Sequence, residues 1–244
     1  MKKEHRFAGM KGLLLSFLVA TSSLAASQSA PAARANKEKQ ITVRVRNYAG
    51  IDPGLLLKAE TTANKILWEA GTDSVWIMCF DGTAWSGSAE CTTVPGLKDL
   101  TVNVRPVPVP QGSHLKEGVF GYANEDGEQG FGCDAWVFVE PIERFATEKG
   151  LNWVQLLGHV FAHELGHLLL GANSHSGVGL MRAQWSSREL SAVNRGGLFF
   201  SAAESKRLQN AVLARWQADP RGAHTVQAQE RSPKYETRSR STPD

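Results

Sequence analysis

Hydrophobic residues along the 244-residue chain switch between two periods, and the switches outline its elements. Between Gln40 and Gly50, Ile41, Val43 and Val45 alternate with polar neighbours, which is the period of a half-buried strand. Asp52 and Pro53 then supply a helix N-cap and a first-turn proline, and Gly71 supplies the stop. Between them Leu56, Ala59, Ala63, Ile66 or Leu67, and Ala70 recur at helical spacing. Ser74 to Phe80 reads as a second strand. Leu100 to Pro110 starts as a third, but its alternating prolines cannot donate to a ladder, so it should lie at an edge or leave the sheet. The glycine-rich, acidic stretch from Val119 to Phe131 predicts a short irregular edge segment, and Cys133 to Glu140 a further strand. A long helix is predicted from about Asn152 to Leu170. A last one opens at the capping box Ser201-Ala202-Ala203-Glu204 and runs to about Trp216. The order strand, helix, strand, strand, edge segment, strand, helix predicts an α/β (α+β) domain, a mixed sheet with helices packed on it.

The two ends of the chain depart from this pattern. Lys2, Lys3, Arg6 and Lys11 precede the apolar run Gly12 to Ala20 and the small residues Ser23 to Ala26, which together read as a secretory signal peptide. The run is short for a bilayer, and no second run of about 18 or more apolar residues follows. The organisation expected is a signal peptide over 1–26, a flexible lead-in over 27–39, one folded domain over 40–218 and a disordered polar tail over 219–244. The expected destination is extracellular or periplasmic, without a membrane span in the mature chain.

Charge and cysteines narrow the picture further. The formal charge of +3 reflects 27 basic against 24 acidic residues. The leader holds four of the basic residues and one of the acidic ones, so the remainder balances at 23 of each. A neutral mature chain argues against nucleic acid or an anionic membrane surface as partner, and a monomer is expected. Cys79, Cys91 and Cys133 permit one internal disulfide; Cys79 to Cys91 is the pairing expected, leaving Cys133 as a buried thiol. No CxxC pair exists to hold a metal.

Chemistry concentrates in one stretch, HVFAHELGHLLLGANSHSGVGLM, from His159 to Met181. With about 100° of turn per residue, Val154, Leu157, Phe161, Leu165 and Leu168 form an apolar stripe, and His159, His163 and His167 form another on the opposite side. His163 and His167 stand one turn apart and can both reach one zinc ion, while the adjacent Glu164 can take a proton from a zinc-bound water. This is the HExxH pattern. A catalytic zinc needs a third protein ligand and a position left to water. Gly171 can adopt the left-handed conformation that ends a helix, and His175, four residues on, can return to the metal. Met181 then follows, placed as an apolar floor beneath the histidines.

The stretch from Leu157 to Met181 resembles that of the metzincin metallopeptidases, whose motif is HExxHxxGxxH followed by a Met-turn. Here HELGHLLLGANSH reads as HExxHxxxGxxxH, with one extra residue on each side of the glycine, and HSGVGLM is similar to the segment that leads to the Met-turn. The pattern HELGHLLLG is also similar to that of a group of uncharacterised exported bacterial proteins. The metzincin resemblance implies a twisted mixed sheet with a packing helix and an active-site helix, followed by a small C-terminal subdomain ending in a helix. It also implies a secreted zinc endopeptidase with one catalytic Zn2+, a protein or peptide substrate, His163, His167 and His175 on the metal, Glu164 as the base and Met181 in the Met-turn.

Rival readings stay open at this stage. His159 shares the histidine stripe but sits a further turn away, which favours packing or a supporting role. Glu189 and Glu204 are alternative third ligands, yet each fits a capping box, with Ser186 and Ser201 respectively. Asn124 to Gly130 could lend oxygens to calcium but lacks EF-hand spacing, so a solvated turn is expected. His114, the seven tryptophans and Arg182 show no pattern that assigns a role. The alternatives to a peptidase are a zinc hydrolase of another amide or ester, and a binding module with an inert zinc site.

Overall fold

A computed structural model of the chain describes residues 40–79, 89–107, 119–124, 131–171 and 173–219. The elements are β1 (Gln40–Asn47), α1 (Pro53–Glu69), β2 (Asp73–Cys79), α2 (Ala89–Thr92), β3 (Asp99–Arg105), β4 (Gly121–Asn124), β5 (Asp134–Phe138), α3 (Val139–Lys149), α4 (Trp153–Leu170), α5 (Ser187–Asn194) and α6 (Ala202–Ala218). The strands form one mixed sheet in the order β2-β1-β3-β5-β4. All pairings are parallel except that of β4 with β5. The parallel pairing of β1 with β2 requires a crossover, which α1 supplies.

The local signals explain these elements. Ile41, Val43 and Val45 on β1, Leu100, Val102 and Val104 on β3, and Ala135 and Val137 on β5 are all 0 % exposed and turn one face of the sheet to the helices. The side chain of Asp52 accepts from the N–H groups of Gly54 and Leu55, capping α1 as its spacing predicts. That helix buries Leu56, Ala59, Ala63, Ile66 and Leu67. Asn152 caps α4 through Gln155 N–H at 3.1 Å.

Two expectations change. The segment after Leu100 does not lie at an edge: β3 runs between β1 and β5, and it ends at Arg105, just before Pro106. Pro106 therefore falls just after the ladder, where a missing donor costs nothing, while Pro108 and Pro110 lie outside the described residues. β5 is shorter than expected, because Val139 and Glu140 begin a helix and Pro141 sits in its first turn, where a missing N–H costs nothing. The edge segment is in place as β4, the last strand of the sheet.

The structure links Cys79 to Cys91, with Cα atoms 5.7 Å apart, and leaves Cys133 half-buried rather than buried. Of the tail, Asp219 is the C-cap of α6, buried and paired with Lys98 at 3.3 Å. The expected leader, lead-in, most of the Asn124 to Gly130 turn and residues 220–244 lie outside the described residues. Among the described residues, no helix is long and apolar enough to cross a membrane.

The helix α4 is the centre of the molecule. It is buried on nearly all sides, including Val154, Leu157, Phe161, Leu165 and Leu168, as a helix apolar all round must be. A Cβ at Gly158 would fall 2.6 Å from the carbonyl oxygen of Ala59 and from Thr62 Cβ, so glycine there sets how closely α1 and α4 cross. The far end of α4 is held by α6. Arg215, 1 % exposed, donates to the carbonyls of Leu168, Leu97 and Gly132, and Arg207 donates to that of Leu170. Two cations thus meet last-turn carbonyls that the helix cannot satisfy itself.

Candidate metal centre

Three imidazoles converge where α4 meets the chain that returns beneath it. Nε2 of His167 lies 3.2 Å from Nε2 of His163 and 3.1 Å from Nε2 of His175. One ligand atom from each of the three fits within 4.8 Å of the others. His163 and His167 come from successive turns of α4, and His175 comes from the loop after it.

The return is made by an irregular exit. Gly171 has the positive φ expected, 80°, but with ψ −173° it is not in the left-handed helical conformation; its N–H still bonds to His167 O. Asn173 takes a second positive φ, 58°. The chain then closes a tight loop, with Ser176 N–H bonded to Met181 O at 2.8 Å and a bridge pairing Ser176 with Arg182. Leu180 N–H bonds to Phe199 O at 3.1 Å, tying the loop to the segment that leads into α6. Met181 is 0 % exposed and packs under the helix at Gly166, where a Cβ would come within 2.6 Å of its sulfur and 2.9 Å of Phe200.

Hydrogen bonds orient the rings. Nδ1–H of His163 donates to Leu180 O at 2.8 Å, which leaves the Nε2 lone pair facing the other two rings. Trp185 Nε1–H donates to the same carbonyl at 3.0 Å, and its ring stands edge-on to His163. Ser174 Oγ lies 2.9 Å from His167 Nδ1 and is buried. Burial, together with the neighbouring His163 and His175, lowers His167 to about 3. Burial likewise lowers His163 to about 4, against the upward pull of its bond to Leu180 and the charge of Glu204. Both rings are therefore neutral near pH 7, the form that binds metal.

The donor set fits zinc. Nitrogens bound at about 2.0 to 2.1 Å around a tetrahedral ion stand about 3.3 to 3.4 Å apart, close to the two separations found here. Nε2 of His167 has the Nε2 atoms of both His163 and His175 at this range, an arrangement that one cation set between the three nitrogens would satisfy.

Glu164 is 5 % exposed and lies against β4: a Cβ on Gly121 would be 3.0 Å from its Cγ and Oε1. It lines, with the three histidines, a cleft of about 740 Å3 between β4 and the return loop. The walls include Phe120, Phe145, Val160, Trp185 and Leu190.

The rival residues have other partners. His159 is fully buried, with Nδ1–H donating to Gln155 O at 2.7 Å, and is not in the converging group. Glu189 and Glu204 each complete a capping box, with Ser186 and Ser201. Sequence reasoning missed Ser174, Leu180, Gly166 and Gly121. A small residue inside the HExxH stretch was a visible signal for Gly166; the others act through contacts that no local pattern encodes.

No protein-family model matches the chain, and no curated protein matches it either. Among solved structures, the chain is similar to archaemetzincin from Methanopyrus kandleri, at 17 % sequence identity and a TM-score of 0.47, over 72 % of this chain and 97 % of that one.

Proposed function

We propose that the protein is an exported zinc-dependent endopeptidase. The observation that carries this reading is the convergence of His163, His167 and His175, with Glu164 beside them in one cleft. The metzincin-like order of HExxH, glycine, third histidine and methionine along the chain supports it. The Cys79–Cys91 disulfide supports export, because such bonds persist in oxidising compartments.

In this reading His163, His167 and His175 hold one Zn2+. When bound, the ion supplies Lewis acidity, acidifying water and polarising the scissile carbonyl. Leu180 O and Ser174 Oγ keep two of the rings aimed inward. Glu164 takes a proton from the attacking water and passes it to the departing amine nitrogen. An extended peptide lies along β4, paired through its backbone, with the apolar walls of the cleft excluding water. Glycine at position 121 lets strand and carboxylate approach each other closely enough for both to face the same bond.

The test is Glu164→Ala. It is expected to keep about one equivalent of zinc and lose peptide hydrolysis by about 10²- to 10⁴-fold, the usual weight of a general base. A variant that cleaves as fast as the parent overturns the mechanism. Hydrolysis of small amides or esters without peptides would assign the same water to another substrate class.

A further inference from the structure

The geometry points to Arg182 as a substrate-recognition residue: its guanidinium binds a carboxylate of the peptide beside the scissile bond, so that the enzyme selects acidic substrates. This rests on the peptidase reading above and adds a substrate class to it.

Arg182 follows Met181 directly, and its backbone pairs with Ser176, the residue after His175. It therefore belongs to the same closed loop as the third histidine. Its side chain lines the cleft that holds His163, Glu164, His167 and His175, and is 38 % exposed. Among the described residues lining that cleft it is the one Lys or Arg.

The arginine is tethered at one corner. Its Nη1 donates to Glu189 Oε2 at 3.3 Å. Glu189 is itself held by Ser186, whose N–H donates to the same oxygen at 2.9 Å and whose hydroxyl also bonds to it. A carboxylate with two donors of its own does not need an arginine to be satisfied. The tether instead removes much of the rotamer freedom that a free arginine loses on binding. It engages one of five N–H donors, and a planar guanidinium can still present a pair of donors to a second carboxylate.

The surroundings make that charge count. The cleft walls are largely apolar, so an ionic hydrogen bond there is less screened than at an open surface. Among the described residues, the other charged side chain lining the cleft is Glu164, which repels an acidic substrate. Glu164 and the metal act on the scissile bond of every substrate alike, so discrimination by the charge of a side chain or terminus needs a further cation, and Arg182 is placed to be it.

The carboxylate has two sources, an Asp or Glu side chain or the free C-terminus of the peptide. The experiment uses the zinc-loaded full chain and peptides that differ only by Glu or Gln at positions flanking the cleaved bond, each made as free acid and as C-terminal amide. The expected result is a kcat/KM about 10- to 100-fold higher for the charged member of one pair, the weight of a hydrogen bond to a charged group. The pair that carries the ratio identifies the source. In Arg182→Gln the ratio falls to about one, and in Arg182→Lys, which keeps the charge but not the fork, it falls part of the way. Equal rates for charged and neutral peptides in the parent enzyme overturn the proposal whatever the variants do. A ratio that survives in Arg182→Gln overturns it too. Binding of the same peptides to zinc-loaded Glu164→Ala, followed by calorimetry, separates the two readings. A charged-peptide preference that disappears when Arg182→Gln is added upholds recognition even if no peptide is ever cleaved. Equal affinities reject recognition while leaving the peptidase reading intact.

Discussion

The two halves of the metal centre are built by different physics. His163 and His167 ride on α4, a helix buried on nearly all sides by α1, the sheet and α6, so their positions are averaged over many apolar contacts. His175 rides on the exposed arm of a loop anchored by Leu180 and Met181 at its far end and shaped by a handful of hydrogen bonds: Ser176 to Met181, Leu180 to Phe199, and His163 and Trp185 to Leu180 O. Packing tolerates small losses, whereas a loop held by a few hydrogen bonds does not. The helix side should therefore be robust and the loop side sensitive, and the two should fail in different ways.

The sharpest way to break the comparison is His175→Ala. It removes the loop's whole contribution, and zinc content is expected to fall from about one equivalent to near zero at micromolar metal, with the apo fold still cooperative because the helix is packed independently. Metal analysis beside a thermal melt checks both halves of that statement. If the fold collapses with the metal, the division drawn here is wrong.

Ser174→Ala is the next largest effect. It deletes one hydrogen bond to His167 Nδ1 without touching any apolar contact of α4, and zinc affinity is expected to weaken about 10- to 100-fold, as for other partners of metal ligands. Competition with a chelator reads it directly. An unchanged affinity would mean that α4 alone orients His167.

Gly166→Ala probes the seam between the halves. The added methyl meets Met181 and Phe200, and overpacking of this kind costs about 1 to 3 kcal/mol. Denaturant unfolding of the apo protein measures the cost. A neutral result would show that the methionine floor slides easily under the helix.

The smallest effect lies on the packed side and depends on pH. Glu60 on α1 is 4 % exposed, and burial raises its carboxyl to about 7. The folded state then binds more protons than the unfolded state between the ordinary carboxyl value of 4.5 and about 7, so stability falls as pH rises through that window. His163 and His167 act with the opposite sign in the apo protein: lowered to about 4 and about 3, they let stability fall as pH drops below their ordinary value of 6.5. Glu60→Gln is expected to raise the Tm at pH 8 and to lose that advantage near pH 5, whereas zinc, which binds only the neutral rings, should steepen the histidine limb and leave the Glu60 limb unchanged. Melts at both values, with and without metal, check the pair.

The same contrast explains what was legible in the sequence. β1, α1 and α4 were readable because alternation, caps and helical periods are local, and Asp52, Ser186 and Ser201 cap where their spacing predicts. The place of β3 in the sheet was not, because strand order depends on which surfaces meet and leaves no mark on the strand itself. The start of α3 was hidden because β5 runs into it without a breaker, and Pro141, read alone, argues against a helix. At the site, the histidines and Glu164 announced themselves by type and spacing. The residues that aim and support them did so only through contacts: a serine, a carbonyl and two glycines whose importance lies in what stands opposite.

The capping of α4 by Arg207 and Arg215 has a consequence for the timing of assembly. Both arginines belong to α6, the last described helix, while the carbonyls they meet end the helix that carries His163 and His167. A chain emerging from its N-terminus exposes the histidines well before those arginines arrive. Until then the last turn of α4 lacks partners, and the Phe199 carbonyl that steadies the return loop has no anchored segment behind it. The centre is thus expected to be completed last, and a chain truncated before α6 is expected to hold zinc more weakly than the full one.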